Sequence, residues 1–429
     1  MPPDSQDVSY RALLRIPSLG RVVASMQLAR ISGQMVGVAL VLFTLLEYGS
    51  APLAGIVTFA SVVPGLLVSP ISGALLDRHG RVRLVQLDYV ASAASMLLIG
   101  ILSLAGALPP WLLVAISAVA SLTNSLSQTG LRSLFPIMVP HHLWERVNAV
   151  DSNGYVVATI IGPPLAAVLV ASLGPAKGLI LIALPMLVAA AILTGVKEPH
   201  TETASTGNLL LDAWQGVKYV AHNPTLRGIG AGMTVLNLAS GAINIVVPIL
   251  VLQRMHGSEL AVGFAFAISG VGGMVSAFAF GRTDTRGREW RLLWLPMLGI
   301  SAATLLLLPP SSGWVTVPAI AYGFVLGSMM ITGLLNGPLD VAMFTMRQRR
   351  TDPAWLGRAF AVSMAINFAG YPIGAAIAGL LASTSLEAAV LLAVVGSFLS
   401  AVLCAWLVPR TDPRDVPTRR GELRARTES

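Results

Sequence analysis

Four charged side chains stand inside long apolar stretches of this chain: Arg30, Asp88, Asp151 and Asp340. A charge at mid-bilayer costs roughly 2.5–3.5 kcal/mol on insertion scales, so it usually faces a cavity or a partner. Arg30 can bind an anionic group, close an ion pair, or snorkel its head to the membrane surface. Each carboxylate can take up and release a proton, or form half of a structural ion pair. The ion-pair reading is preferred for Asp151 and Asp340; Arg347, Arg349 and Arg350 follow Asp340 two turns on. The apolar stretches also carry amides: Gln27, Gln34, Asn124, Gln128, Asn237, Asn244, Asn336 and Asn367. Buried amides need hydrogen-bond partners in a helix bundle or in a watery cavity. A cavity with these amides, few charges and many Met, Leu and Phe side chains suits a bulky amphipathic solute.

Other chemistries lack their residues. No Gly-x-x-x-x-Gly-Lys-Ser/Thr phrase occurs, so direct drive by ATP is not expected. His/Cys spacing for a metal, a cofactor motif and a nucleophile elbow are all missing. Neither a cofactor nor an enzymatic reaction is therefore expected. His141 and His142 read as a solvated loop pair, and the single cysteine, Cys404, reads as packing in an apolar helix.

The elements that carry these groups are membrane spans. The chain has 429 residues, 55% of them hydrophobic and only 11% charged, with a mean hydropathy of +0.74. Soluble domains carry about 25% charged residues. Runs near the roughly 20 residues needed to cross a bilayer fall at 22–46, 52–76, 84–106, 111–132, 148–172, 176–196, 227–252, 258–281, 291–309, 313–340, 359–382 and 386–408. The net charge of +8 does not point to nucleic acid, because of where it lies. Apart from Lys177, Arg254 and Arg30, the basic residues gather in alternate loops and in the tails. The positive-inside rule then places both termini in the cytoplasm and fits an even number of spans. The first apolar run is too long for a signal peptide core, and basic residues precede it. The tail at 410–429 reads as a solvated basic anchor.

The spans divide six and six, giving bundles at 1–196 and 227–409 joined by a linker at 197–226. Within that linker, Leu209 to Val220 reads either as an amphipathic helix on the membrane surface or as a plain connecting helix. The halves repeat. The loop phrase Gly73-x-x-x-Asp77-Arg78-x-Gly80-Arg81 recurs as Asp284, Gly287 and Arg288 at one constant offset. At a second constant offset Arg146, Gly162, Ala166 and Leu169 match Arg358, Gly374, Ala378 and Leu381. Duplicated halves imply a pseudo-two-fold axis along the membrane normal and a central cavity. Gly73 permits close helix approach, Gly80 permits a tight turn, and Asp77 can accept from free N–H groups at a helix start.

These features resemble the major facilitator superfamily. Leu28-Ala-Arg30-Ile-Ser-Gly33, Arg81-Val-Arg-Leu-Val-Gln-Leu-Asp88, Trp144-Glu-Arg146-Val-Asn148 and Gly357-Arg358-Ala-Phe-Ala-Val are similar to its drug and macrolide efflux branch. The resemblance implies an all-α membrane protein of twelve helices in two pseudo-symmetric six-helix bundles, working by alternating access. It implies proton-coupled efflux of hydrophobic or amphipathic compounds by a monomer in a bacterial inner membrane. A siderophore, metabolite or lysolipid exporter and an uncoupled facilitator remain alternatives within transport. A non-transporting receptor is the alternative outside it.

In the family the loop acts as an inner latch made when the transporter faces outward. The resemblance gives that role to Gly73, Asp77, Arg78, Gly80, Arg81, Asp284, Gly287 and Arg288, against a plain topology-setting turn. Gly162-Pro163-Pro164, with Gly374 in the second half, is similar to an exporter-associated segment; helix packing alone is the alternative. Asp88 matches a family position that there belongs to the inner charge cluster. Relatives often carry an acid after the glycine of span one, where this chain has Gly33-Gln34. The resemblance therefore implies proton coupling without supplying its carrier.

Overall fold

The computed structural model describes residues 10–198, 209–280, 287–352 and 355–411. Among these, twelve helices are long and apolar enough to cross a membrane. The first half holds α1 (Leu19–Tyr48), α2 (Ala51–Ala60 and Val63–His79), α3 (Arg81–Leu104), α4 (Pro110–Met138), α5 (Trp144–Leu173) and α6 (Pro175–Leu193). The second holds α7 (Pro224–Ile249), α8 (Glu259–Phe280), α9 (Glu289–Thr304), α10 (Pro318–Arg349), α11 (Leu356–Ala382) and α12 (Leu386–Leu407). Short turns extend α7 to Arg254 and α9 to Ser311.

Local sequence sets the helix ends. Ser50, Asn223 and Ser385 accept from the backbone N–H three residues on, at 3.3, 3.1 and 3.1 Å, which satisfies one of the free donors of a first turn. Proline opens α2, α4, α6, α7 and α10, where its missing N–H is harmless. Gly49 closes α1 at φ 61° in the left-handed region.

Two spans differ from the sequence expectation. The second is broken at Ser61–Val62, and its inner piece restarts with Pro64 near its first position; a proline there withholds one rung of the hydrogen-bond ladder. The tenth continues to Arg349 instead of ending at 340. Asp340 therefore lies well inside α10. The final turn carries Arg347 and Arg349, where cations complement the helix dipole.

The neighbours of each helix repeat between the halves. α1 lies against α5 and α6 as α7 lies against α11 and α12. α3 lies against α4 and α6 as α9 lies against α10 and α12. The halves meet along two equivalent seams, α2 with α11 and α5 with α8. Both seams are tight at the end away from the termini. A Cβ added at Gly379 would sit 2.6 Å from Ala51 O, and one at Gly263 would sit 2.4 Å from the Ala167 Cβ. Nearer the termini, Asn124 on α4 and Asp340 on α10 are exposed.

The linker helix, Leu209–His222, covers the inner end of the second half. Its Tyr219 ring stacks on Trp355 at 5.1 Å, and Val220 is buried with Leu226 and Ala359. The start of the tail is held as well. Arg350 donates to Pro409 O at 2.6 Å and to Arg410 O at 3.2 Å. The rest of the basic tail, from residue 412, lies outside the described residues.

Candidate functional site

Small residues let α1 and α5 cross closely, and that crossing builds the centre of the site. Gly154, Ala158, Gly162 and Ala166 recur every fourth residue on one face of α5. Ala158 and Ala166 are fully buried. A Cβ at Gly162 would lie 2.5 Å from the Gln34 Cβ and 3.2 Å from Ile31 O. Pro163, beside it, is buried within the helix.

The crossing delivers Arg30 of α1 to Asp151 of α5. Arg30 Nη1 donates to the Asp151 carbonyl at 2.8 Å and Nη2 donates to Asp151 Oδ1 at 2.5 Å. The guanidinium also lies 6.0 Å from the Tyr155 ring centroid, within cation–π range. Their side chains are 15% and 9% exposed, so the pair is largely desolvated. Arg30 thus forms an ion pair with Asp151.

The second half repeats the crossing without the charges. A Cβ at Gly374 would lie 1.8 Å from Leu238 O, as Gly162 meets Ile31 in the first half. By the same correspondence Asn237 stands where Arg30 does, and Ser363 where Asp151 does. Asn237 donates to Met233 O of its own helix at 2.9 Å. Ser363 and Asn367 are buried, and Ser363 Oγ and Asn367 Oδ1 have no hydrogen-bond partner in the structure. On α10, Asp340 is exposed, with the buried Arg347 near enough for their charges to interact. Arg347 Nη1 points at Met364 Sδ, 3.0 Å away.

A cavity of about 210 Å³ opens inside the first half between α1, α3 and α4. Its lining is mixed: apolar side chains of Met26, Val36, Leu40, Met96 and Met186 lie among Arg30, Gln34, Asp88, Asn124 and the hydroxyls of Ser61, Ser92, Ser117, Ser121 and Ser127. Asp88 is 2% exposed. Ser92 Oγ donates to its Oδ1 at 3.4 Å, while the Thr123 and Ser127 hydroxyls donate to carbonyls of their own helix. Asp88 lies two turns into α3, and its side chain lines this cavity. The Gln128 side chain lies outside the described residues.

The basic loop shows one half of its expected geometry. Gly80 has φ 87° and Gly287, its counterpart, φ 74°, a region open to glycine at little cost. At Gly80 the chain passes directly from α2 into α3. Gly73, Asp77 and Arg78 are helical in α2, but their side chains lie outside the described residues, as does all of Asp284. Arg288 is exposed beside the start of α9. Arg81 pairs with Glu198 at 2.9 Å, and Glu198 also accepts from the backbone N–H groups of Arg81 and Val82 at 2.7 and 3.3 Å. A carboxylate at a helix N-terminus is favoured by both the free donors and the dipole.

Sequence reasoning missed Glu198, Tyr155 and the serines. Glu198 gave no signal, because its partner lies far away in the chain. The serines did. Ser117, Ser121 and Ser125 recur every fourth residue in an otherwise apolar span. Two of them join α4 to α2: Gly65 N–H donates to Ser121 Oγ at 3.1 Å, and Ser125 bonds Ser72.

Twelve candidate spans in two like halves, with a polar cavity inside the first, fit a membrane transport protein. The chain belongs to the Major Facilitator Superfamily, whose match spans residues 23–336. It is thus a multi-pass membrane transporter and not an enzyme. It is 35% identical over 410 residues to the uncharacterized MFS-type transporter y4rN of Sinorhizobium fredii, covering 95% of this chain and 99% of that one. It is 25% identical over 363 residues to the multidrug efflux pump Tap of Mycobacterium tuberculosis, covering 80% and 82%. Its fold matches the crystal structure of the nucleoside transporter NupG at a TM-score of 0.73 and 12% identity, over 91% of this chain and 99% of that one.

Proposed function

We propose that this transporter exports hydrophobic or amphipathic small molecules from the cytoplasm in exchange for entering protons. The observation that carries the reading is the mixed lining of the cavity, in which Met26, Met96, Met186 and Leu40 lie among Arg30, Asn124 and several serines. An amphipathic solute satisfies both kinds of lining at once. Similarity to the multidrug efflux pump Tap supports the direction. So does the Gly162-Pro163 segment, seated on α1 as the contact that positions Arg30. Both termini face the cytoplasm of a bacterial inner membrane, in keeping with the positive-inside rule. The protein works as a monomer. The loop at Asp77 and its repeat at Asp284 latch the basic face when the cleft opens the other way.

Purified protein in liposomes, loaded with the amphipathic dye Hoechst 33342 under an imposed pH gradient, tests the reading. Dye movement against its gradient is expected while the pH difference stands. Nigericin, which collapses that difference, should abolish it. Movement that continues unchanged after collapse would remove proton coupling.

The serines of the lining favour a second reading, a more polar cargo such as a siderophore. Competition of ferric and iron-free hydroxamates against the dye decides between them.

A further inference from the structure

The carboxylates of this structure fall into two kinds. Asp151, Glu198 and Glu289 are each held by an arginine, Arg30, Arg81 and Arg349 respectively. Asp88 is 2% exposed, yet its hydrogen-bond partner is the Ser92 hydroxyl. An ionised carboxylate away from water is costly unless a cation or several good donors compensate it. The Ser92 bond is long at 3.4 Å, against the usual 2.5–3.0 Å for an O–H···O bond.

The Ser92 hydroxyl suits either charge state of the acid. A hydroxyl has one proton and two lone pairs. It donates to an ionised Asp88, as in this structure, and can turn to accept from a neutral one. Arginine and backbone N–H groups cannot reverse in this way, so they fix a carboxylate in the charged form.

The cavity supplies the route. At about 210 Å³ with hydroxyl and amide lining, it is roomy and polar enough to hold several waters. Asp88 and Arg30 both border it. The titratable or charged groups facing Asp88 are Tyr89 beside it on α3 and Arg30 and Tyr155 from α1 and α5 across the cavity. Ser92, Thr123 and Ser127 complete the surroundings, and α6 contributes only Met186 to the cavity wall. The side chains of Gln128 and Arg132 on α4, and of Asp77 and Arg78 on α2, are outside the described residues.

We propose that Asp88 is the proton-binding site of the transport cycle, reached through the serine-lined cavity and held by the Ser92 hydroxyl, which fits both its states. A hydronium in the cavity transfers its proton to an Asp88 oxygen and departs as water. The reverse transfer releases the proton when the cleft faces the other side. The inference rests on the proton-exchange reading above, and it moves the carrier from span one, where this chain has Gln34, to span three.

Infrared difference titration of the purified protein tests it without a substrate. The neutral-carboxyl band that grows as pH falls should be present in wild type and in Asp340→Asn, and lost in Asp88→Asn. Asp88→Glu should keep the band with a shifted midpoint. A full band in a folded Asp88→Asn protein would overturn the proposal, as would an unshifted midpoint in Asp88→Glu if the asparagine variant does not fold. Sodium chloride at constant pH should leave the band unchanged; its removal by sodium would make the site a sodium site and equally overturn the proposal. The liposome assay keeps the two ideas apart. Dye export that ignores the pH gradient would sink proton coupling, whereas gradient-driven export by Asp88→Asn would sink Asp88 alone.

Discussion

Arg30 illustrates how one residue can be flagged by sequence and decided by structure. An arginine in an apolar run is legible as a problem that needs a partner. Which partner is not legible, because Asp151 lies four helices later and meets it only where α1 crosses α5. The pair is mostly buried, so removing one member leaves the other charge stranded, at a cost of about 3–5 kcal/mol. Arg30→Ala is expected to lower the melting temperature of the purified protein clearly. Removing both charges in Arg30→Met with Asp151→Leu should recover most of that loss, since an apolar pair of similar volume avoids the stranded charge. A double variant as unstable as the single one would show that the charges serve packing in another way.

At the scale of single elements, the linker helix was legible in composition and open in placement. Its apolar face seats on the second half through Tyr219, Trp355 and Val220. An aromatic pair of this kind contributes roughly 0.5–1.5 kcal/mol beyond area burial. Trp355→Ala should therefore loosen the helix without unfolding the bundle. Faster amide hydrogen exchange confined to 209–222 is the expected readout, and an unchanged rate there would show that the stack does not hold the helix. The basic loop belongs to the same scale. Its two glycines, Gly80 and Gly287, both have positive φ, a conformation glycine adopts at little cost. For the proposed latch, Asp77→Asn should cripple transport while expression stays close to wild type; full activity would reduce the loop to a topology-setting turn. The break in α2 and the length of α10 were not legible, because a proline or a charge in an apolar run does not by itself say whether a helix stops.

For the whole molecule, the proposed cycle requires the tight end of the seams to open. Cysteines at Ala167 and Gly263, in a Cys404→Ser background, face each other across the α5–α8 seam. They need only a slight separation to reach disulfide geometry. Oxidation should stop dye movement in liposomes and reductant should restore it; transport that survives the crosslink would exclude opening at this seam. The sequence by itself determined the twelve spans, the duplication and the sidedness of the charge, since hydropathy and loop arginines act through the bilayer and need no knowledge of neighbours. Only the tertiary structure decided that Arg30 belongs to Asp151, that Asp88 meets the Ser92 hydroxyl, and that the second half repeats the crossing with Asn237 and Ser363 in place of charges. Those outcomes depend on which helices touch and on which face, and small residues such as Gly162 and Gly374 fix that by allowing the backbones to meet.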